Sequence, residues 1–164
     1  MSVREATAAD VPDILGLVRD LAEYERELDQ VEATEEDFRR LMFPDDGPAT
    51  AFGHVAEVDG EVVGMALWYV TFSTWTGVNG IWLEDLYVMP EHRGSGLGRE
   101  LLAALARICV ERGYPRLEWW VLDWNEPSIG FYRSLGAAPY DEWTTYRLGD
   151  DALAALAGRD GVAG

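Results

Sequence analysis

The chain has 164 residues, 48% of them hydrophobic, which fits one globular domain with a packed core. Its 30 acidic residues against 13 basic ones give a formal net charge of −17, which disfavours nucleic acid and anionic lipid as partners. No apolar run approaches the roughly 20 residues that cross a bilayer, so no membrane association is predicted. The acidic surface either concentrates cationic substrates or serves solubility, and the composition leaves both open.

Cysteine and histidine content restricts the chemistry further. The single Cys109 excludes an internal disulfide and predicts a reducing, cytoplasmic compartment, since no apolar signal core is present at the N-terminus. Cys109 lies near Leu105 and Ile108, so a buried core thiol is expected rather than a nucleophile. His54 and His92 have no second ligand at metal spacing, and no metal is predicted.

Hydrophobic periodicity and turn residues predict the elements of the N-terminal half. A strand at 2–6 precedes a helix at 9–27, and Thr34 opens a second helix to about residue 42 with a capping box. Strands at 50–58 and 61–72 flank the dipeptide Asp59-Gly60, which is typical of a two-residue hairpin turn. Trp75 is at the centre of the loop that follows, and a further strand covers 81–89.

Residues 83–100 form the most informative stretch, L-E-D-L-Y-V-M-P-E-H-R-G-S-G-L-G-R-E. A strand ends at Pro90, and a helical apolar stripe begins at Leu97. A glycine-rich turn into a helix N-terminus collects backbone N–H groups and the positive end of a helix dipole, which favours phosphate. The predicted anion site comprises Arg93, Gly94, Ser95, Gly96, Leu97, Gly98 and Arg99.

Three ligand classes use such a turn. A P-loop requires G-K-S or G-K-T, whereas Gly98 is followed by Arg99 and Glu100. A dinucleotide fingerprint requires G-x-G-x-x-G, and the chain has only G-x-G-x-G. The third pattern, R-x-x-G-x-G, is met by Arg93, Gly96 and Gly98. A glycine-rich turn that binds no ligand remains the alternative.

The C-terminal half contains a second informative stretch, W-N-E-P-S-I-G-F-Y-R-S-L-G at 124–136. Asn125 is a good N-cap and Gly136 a good helix-ending glycine, which predicts a short helix. Asn125, Ser128 and Tyr132 then share one face of that helix. Further predicted elements are a helix at 98–112, strands at 116–122 and 138–148, and a helical tail at 151–157.

The two stretches together resemble the GNAT acyltransferase superfamily through R-x-x-G-x-G and N-x-x-x-x-x-F-Y-x-x-x-G-A. The chain is most similar to the diamine (spermidine/spermine) N-acetyltransferase branch, through L-A-E-Y-E at 21–25, L-E-D at 83–85 and W-N-E-P-S-I at 124–129. The resemblance implies one domain over 1–164, with a core at about 3–148 and a tail at 149–164. It also implies an α/β fold in which helices flank both faces of a mixed sheet of about six strands.

The resemblance further implies acetyl-CoA as co-substrate, a small cationic amine as acceptor, and a homodimer. The backbone of Leu86, Tyr87 and Val88 would bind the pantetheine arm, and residues 93–99 the pyrophosphate. Asn125 and Ser128 would contact the coenzyme near its thiol, and Tyr132 would be the general acid. The amine site would comprise Tyr24, Glu25, Trp75, Glu84 and Asp85.

One position departs from the polyamine enzymes, which carry an acidic residue about where Ser73 stands. Its loss favours a shorter acceptor, such as a diamine or a lysine analogue, over a long polycation. An ammonium must lose a proton before it attacks, and a carboxylate can accept it directly or through water. Glu84 and Asp85 are adjacent on a strand and are expected on opposite faces, and Glu84 is favoured as the catalytic carboxylate.

Direct attack in a ternary complex is expected, because Cys109 is misplaced for an acyl-enzyme and no Ser–His pair is apparent. Two alternatives remain. One is a non-catalytic acyl-CoA-binding or regulatory module. The other is an acetyltransferase for a protein N-terminus or an antibiotic amine.

Overall fold

The computed structural model describes residues 1–158 and divides the chain into two compact units, Met1–Trp120 and the part from Val121 onward. The first unit contains one five-stranded sheet in the order β1-β2-β3-β4-β5, antiparallel except for the parallel β4–β5 pair. Its strands are β1 Ser2–Glu5, β2 Phe52–Val58, β3 Glu61–Ser73, β4 Val78–Val88 and β5 Leu117–Glu118.

Residues 1–158 contain five α-helices. They are α1 Val11–Glu25, α2 Glu35–Met42 and α3 Leu97–Arg112 in the first unit, and α4 Glu126–Ser134 and α5 Asp150–Leu156 in the second. The last six residues of the expected tail, 159–164, lie outside the described residues. No helix in the described part of the chain is long and apolar enough to span a bilayer.

The two faces of the sheet are distinguished by strand alternation. Met65 and Leu67 of β3 pack in one buried cluster with Ile14 and Leu17 of α1, which defines the α1 face. Trp68 points to the opposite face, where its Nε1 donates to Nδ1 of buried His54 at 3.3 Å. Helix α3 packs against all five strands and α1 against β3 and β4, so helices flank the sheet as predicted.

Local sequence features define the element ends as expected. The Asp59-Gly60 turn joins β2 and β3 with positive φ at both residues, 52° and 88°. Thr34 caps α2 by accepting from the Asp37 N–H at 3.3 Å, and the Asp37 carboxylate accepts from the Thr34 N–H at 3.0 Å. Arg26 ends α1 in the left-handed conformation.

Two strand predictions were wrong. Residues 138–148 form no strand, and the predicted strand at 116–122 is reduced to Leu117–Glu118. The large aromatic residues of this segment, Tyr140, Trp143 and Tyr146, are 65–93% exposed. Residues with β-propensity that have no buried face and no neighbouring strand do not fix an extended conformation. The sheet therefore has five strands among residues 1–158 rather than about six.

Candidate active site

The glycine-rich loop connects β4 to α3, as the sequence predicted. Gly94 and Gly96 have φ of 76° and 94°, a region that side-chain-bearing residues rarely adopt. Gly96 is the N-cap of α3 and no side chain caps the helix, so its first-turn N–H groups have no side-chain acceptor. A Cβ built on either glycine would meet nothing within 4 Å, which shows that the space outside the loop is open.

The conformation at Gly96 leads to a first prediction. Gly96→Ala forces a Cβ into the left-handed region, so we expect a loss of about 1–2 kcal/mol in unfolding free energy and weaker CoA binding. Urea denaturation and calorimetric titration with CoA measure the two effects. Gly16→Ala is the matched control, because Gly16 lies in α1 and has open space where a Cβ would be. This substitution should raise the unfolding free energy by up to about 1 kcal/mol. Equal CoA affinity in wild type and Gly96→Ala would contradict this assignment of the loop.

Arg93 lies at the start of the loop and folds back over the α1 face. Its Nε donates to the carbonyl oxygen of Val88 at 2.9 Å, and its Cζ lies 5.1 Å and 5.4 Å from the ring centroids of Tyr24 and Tyr87. These distances are within cation–π range. The side chain therefore joins the last turn of α1 to the loop. The expectation that its charge also serves the pyrophosphate stays a prediction.

The outer edge of β4 presents backbone N–H groups without a strand partner next to the loop. Pairing with β5 ends at Trp82 and Glu118, whereas β4 continues to Val88. The Met89 N–H donates to Val63 of β3 at 2.9 Å, so by alternation the Leu86 and Val88 N–H groups point away from β3. No strand of the first unit pairs with this edge, which leaves it able to bind an extended ligand arm.

A β-bulge in β4 changes the placement of the two acidic residues. Leu67 pairs with Asp85 and Trp68 with Leu83, so Glu84 is an extra residue without a partner. Because cross-strand partners share a face, Asp85 lies on the α1 face with Leu67, and Leu83 lies on the opposite face with Trp68. Glu84 also reaches the α1 face, where its Oε2 accepts from Trp82 Nε1 at 3.1 Å. The expectation that Glu84 and Asp85 point to opposite faces was wrong.

The bulge places Asp85 in an unusual electrostatic environment. Burial raises the pKa of Asp85 to about 6, with smaller contributions from the nearby Glu84 and Glu25 carboxylates. Burial also raises the pKa of Glu25, and Glu27 adds to the effect. The Glu25 and Glu84 carboxylates thus add to the effect of burial on Asp85, which is poised to exchange a proton near neutral pH.

Sequence reasoning missed the aromatic residues that surround Glu84. The rings of Tyr69 and Trp82 are cross-strand neighbours with centroids 6.5 Å apart, and the Trp120 ring contacts Trp82 edge-on at 4.9 Å. The position of Trp82 two residues before Glu84 could have indicated a shared face. Trp75, in contrast, lies at the tip of the β3–β4 hairpin with 88% exposure, and the structure does not bring it to the carboxylates.

The second unit contains the remaining predicted residues on α4. Asn125 is buried and caps the helix, its Oδ1 accepting from the Ser128 N–H at 3.3 Å. Gly136 follows the helix with φ of 87°, as expected for a C-terminal glycine. Tyr132 lies two turns after the cap with its ring 5.4 Å from that of Phe131. The predicted helix and both of its ends are confirmed, and the catalytic and coenzyme-binding roles stay predictions.

Comparison with known proteins identifies the family. Residues 16–137 match the model of the acetyltransferase (GNAT) family, about three quarters of the chain. The chain belongs to the GNAT acetyltransferases. The resemblance predicted from the two sequence stretches is therefore confirmed.

Relatives of this GNAT acetyltransferase support the narrower branch. The chain is 41% identical to the thialysine N-epsilon-acetyltransferase of Bos taurus over 96% of its own length and 97% of the relative. It is 33% identical over 94% of its length to human spermidine/spermine N(1)-acetyltransferase-like protein 1, covering 23% of that longer protein. An integron cassette protein from the V. cholerae mobile metagenome has the same fold, with a TM-score of 0.78, 24% identity and 95% and 96% of the two chains covered.

The features of this GNAT acetyltransferase fit acetyl-CoA, the co-substrate of the family. The open loop with positive-φ glycines and an uncapped helix N-terminus suits a diphosphate. The outward N–H groups of Leu86 and Val88 suit the amide-bearing pantetheine arm. Within residues 1–158, no group of three or more histidine, cysteine, aspartate or glutamate side chains is arranged to hold a metal ion.

Proposed function

We propose that this protein transfers the acetyl group of acetyl-CoA to the terminal primary amine of a small lysine-type amino acid or diamine. The observation that carries the proposal is the bulge in β4, which places Glu84 and Asp85 together on the α1 face, near Glu25. The same strand leads directly into the diphosphate loop. Acceptor and coenzyme sites are therefore built on one strand, as direct transfer between two bound substrates requires.

Bound acetyl-CoA supplies the activated acyl group, and the residues of this chain orient it and move the protons. The loop amides at 94–99 hold the diphosphate, and the Leu86 and Val88 N–H groups hold the pantetheine arm. A backbone N–H near Val88 stabilises the charge that develops on the carbonyl oxygen. The new C–N bond forms as the C–S bond breaks. Tyr132 donates a proton to the departing thiolate, whose conjugate thiol has a pKa of about 8.5.

Asp85 is the stronger candidate for accepting the proton of the incoming ammonium. Its pKa of about 6 makes it a better base than an ordinary carboxylate, while leaving it largely ionised at pH 7. Glu84 is instead held by the Trp82 indole, which orients its carboxylate toward a cation rather than toward proton exchange. The choice of Glu84 from sequence remains a prediction, and the experiments below separate the two residues.

The size of the acceptor is inferred from one position of this chain and from the names of three relatives. Ser73 ends β3 where the polyamine enzymes carry an acidic residue, so one binding site for a long polycation is missing. The relatives that are 38–41% identical over nearly the whole chain are named for thialysine, an amino acid with a terminal amine. Both observations favour a short acceptor that carries its second charge within one side-chain length of the reacting nitrogen.

Assembly and compartment are further proposals. A homodimer is expected from the family resemblance, and the exposed Tyr140 offers aromatic surface for such an interface. A reducing, cytoplasmic compartment rests on the single Cys109, which is buried with its Sγ 3.7 Å from the carbonyl oxygen of Arg116. Burial raises the pKa of this thiol, which keeps it protonated and unreactive.

A thiol-release assay with a panel of amines tests the proposed activity. With acetyl-CoA, we expect thialysine, lysine or 1,3-diaminopropane to exceed spermidine in kcat/KM by about tenfold or more, a difference of about 1.4 kcal/mol. The panel also contains an aminoglycoside and a peptide with a free N-terminus. Preference for either of these would replace the proposed acceptor. CoA binding without thiol release from any amine would indicate a non-catalytic module.

A further inference from the structure

Three aromatic rings and the Glu84 carboxylate form a group beside the bulge that takes no part in the proposed proton transfers. We define the aromatic cluster as Tyr69, Trp82 and Trp120. Trp82 is central: Trp120 meets it edge-on at 4.9 Å with an interplanar angle of 80°, and Tyr69 lies 6.5 Å away at 34°. Glu84 Oε2 accepts from the Trp82 indole at 3.1 Å. Every member belongs to the first unit, on β3, β4 and the residues just after β5.

The exposure of the cluster argues against a purely structural role. Tyr69 is 38% exposed and Trp120 59% exposed, so neither ring completes the hydrophobic core. The core cluster on this face is formed by other residues, among them Met65, Leu67 and Tyr87. Contiguous aromatic surface left open beside a carboxylate is typical of a ligand-binding surface.

The chemistry of the cluster matches an alkylammonium ion. The faces of tryptophan and tyrosine rings carry partial negative charge and attract cations. Glu84 adds a full negative charge, and the indole hydrogen bond fixes its orientation. The indole hydrogen bond uses Oε2, so Oε1 can accept from a ligand N–H. Burial and the charge of Glu84 raise the pKa of Tyr69, which keeps that ring neutral.

The spacing matches a short dicationic acceptor. Trp82 and Asp85 are three positions apart on β4, and at about 3.3 Å per residue their Cα atoms lie at most about 10 Å apart. The terminal and α-nitrogens of a lysine-type chain are separated by six bonds and span roughly 7 Å when extended. An acceptor whose reacting nitrogen lies at Asp85 can therefore place its second ammonium at the aromatic cluster.

We propose that the aromatic cluster, with Glu84, binds the second ammonium group of the acceptor and so selects short dications over monoamines. This inference rests on the proposed function, because it assumes that the reacting nitrogen lies at Asp85. It assigns Glu84 to recognition of the acceptor. It also makes Trp120, which sequence reasoning placed only in a strand, a determinant of specificity.

A specificity ratio tests the inference during turnover. We define it as kcat/KM for lysine or 1,3-diaminopropane divided by kcat/KM for n-butylamine. Trp120→Leu should lower this ratio about tenfold, the loss expected for one cation–π contact in a partly desolvated site. The matched control is Phe72→Leu, which removes a 63% exposed ring from β3 at a position that alternates to the opposite face from Tyr69. The control should leave the ratio unchanged. An unchanged ratio in Trp120→Leu, or an equal loss for dications and monoamine, would overturn the proposal.

A binding measurement separates this inference from the proposed activity. Tetramethylammonium, which cannot be acetylated, is titrated into the wild-type protein while the indole N–H resonances are followed by ¹⁵N NMR. Saturable shifts are expected at the Trp82 and Trp120 resonances, assigned by comparison with Trp82→Phe and Trp120→Leu, and the Trp143 resonance should not move. If no amine is acetylated but these shifts occur, the proposed function fails and the cation site stands. If these two resonances do not move, the cation site fails whatever the activity.

Discussion

Replacing Asp85 with asparagine is expected to lower kcat by about 10²–10³-fold, the usual contribution of a positioned general base. The acceptor reaches the site as an ammonium with a pKa near 10.4, and without a base only its rare neutral form can attack. Steady-state kinetics with lysine or thialysine measure the loss. CoA affinity, measured by calorimetry, should stay within about twofold, because Asp85 lies on the α1 face and not at the diphosphate loop.

The pH dependence distinguishes a base from a structural residue. Protonation of Asp85 removes the acceptor for the ammonium proton, so wild-type kcat/KM should fall as the pH decreases through about 6. In Asp85→Asn this acidic limb should disappear, and the remaining rate should instead rise with pH as more neutral amine becomes available.

The same substitution should stabilise the fold at neutral pH. The folded-state pKa of about 6 lies above the value near 3.9 in the unfolded chain, so between these values the folded state binds more protons. The unfolding free energy therefore falls as the pH rises from about 4 to about 6, and it stays lowered above pH 6. Asparagine carries no ionisable group, so the unfolding free energy of Asp85→Asn should exceed that of wild type by up to about 3 kcal/mol at pH 7, and its Tm should be higher by several degrees.

Glu84→Gln is the matched comparison for Asp85→Asn, because it neutralises the adjacent carboxylate. It should raise KM for dicationic acceptors while kcat changes by only a few fold. Loss of kcat in Glu84→Gln with near-normal kcat in Asp85→Asn would reverse the two assignments and restore the choice made from sequence. A lower Tm together with lower kcat in Asp85→Asn would indicate a structural role.

Replacing Tyr132 with phenylalanine is expected to lower kcat by about 10²-fold, because the leaving thiolate then departs without a proton donor. The affinity for acetyl-CoA should be nearly unchanged, since the aromatic ring remains. Pre-steady-state thiol release gives the rate of the chemical step directly. With an acetyl thioester whose thiol is more acidic, Tyr132→Phe should lower kcat by a smaller factor, because that thiolate departs without protonation.

Tyr146→Phe provides the control for Tyr132→Phe. It is the same chemical change at a tyrosine of the second unit that is 93% exposed, so kcat should stay within about twofold of wild type. Unchanged thiol release in Tyr132→Phe would remove Tyr132 from the mechanism. A comparable loss in both variants would show that the effect is not specific to position 132.

Much of the site was accessible from sequence because its determinants are local. The loop before α3 is specified by two positive-φ positions that glycine adopts most readily, Gly94 and Gly96, and the helix that follows is indicated by its apolar stripe. The helix at Asn125 is likewise specified by its own cap and terminal glycine. Such features depend on residues a few positions apart, so their meaning does not require knowledge of the fold.

The features that sequence reasoning missed depend on pairing between distant residues. The bulge at Glu84 follows from how β4 aligns with β3, and a period of two read along one strand assumes that no such shift occurs. The contact between Trp82 and Trp120 joins positions 38 residues apart across the β4–β5 pair. The false strand at 138–148 is the converse case, in which residues with β-propensity have no neighbouring strand to pair with.

The bulge makes Glu84 an extra residue that the β3–β4 ladder does not need. Deletion of Glu84 would join Leu83 to Asp85 and restore a regular ladder, in which Asp85 still pairs with Leu67 and stays on the α1 face. Such a deletion should therefore leave the sheet intact and remove only one carboxylate from the acceptor side. The strand can gain or lose a charged group at this one position without turning either neighbour to the other face.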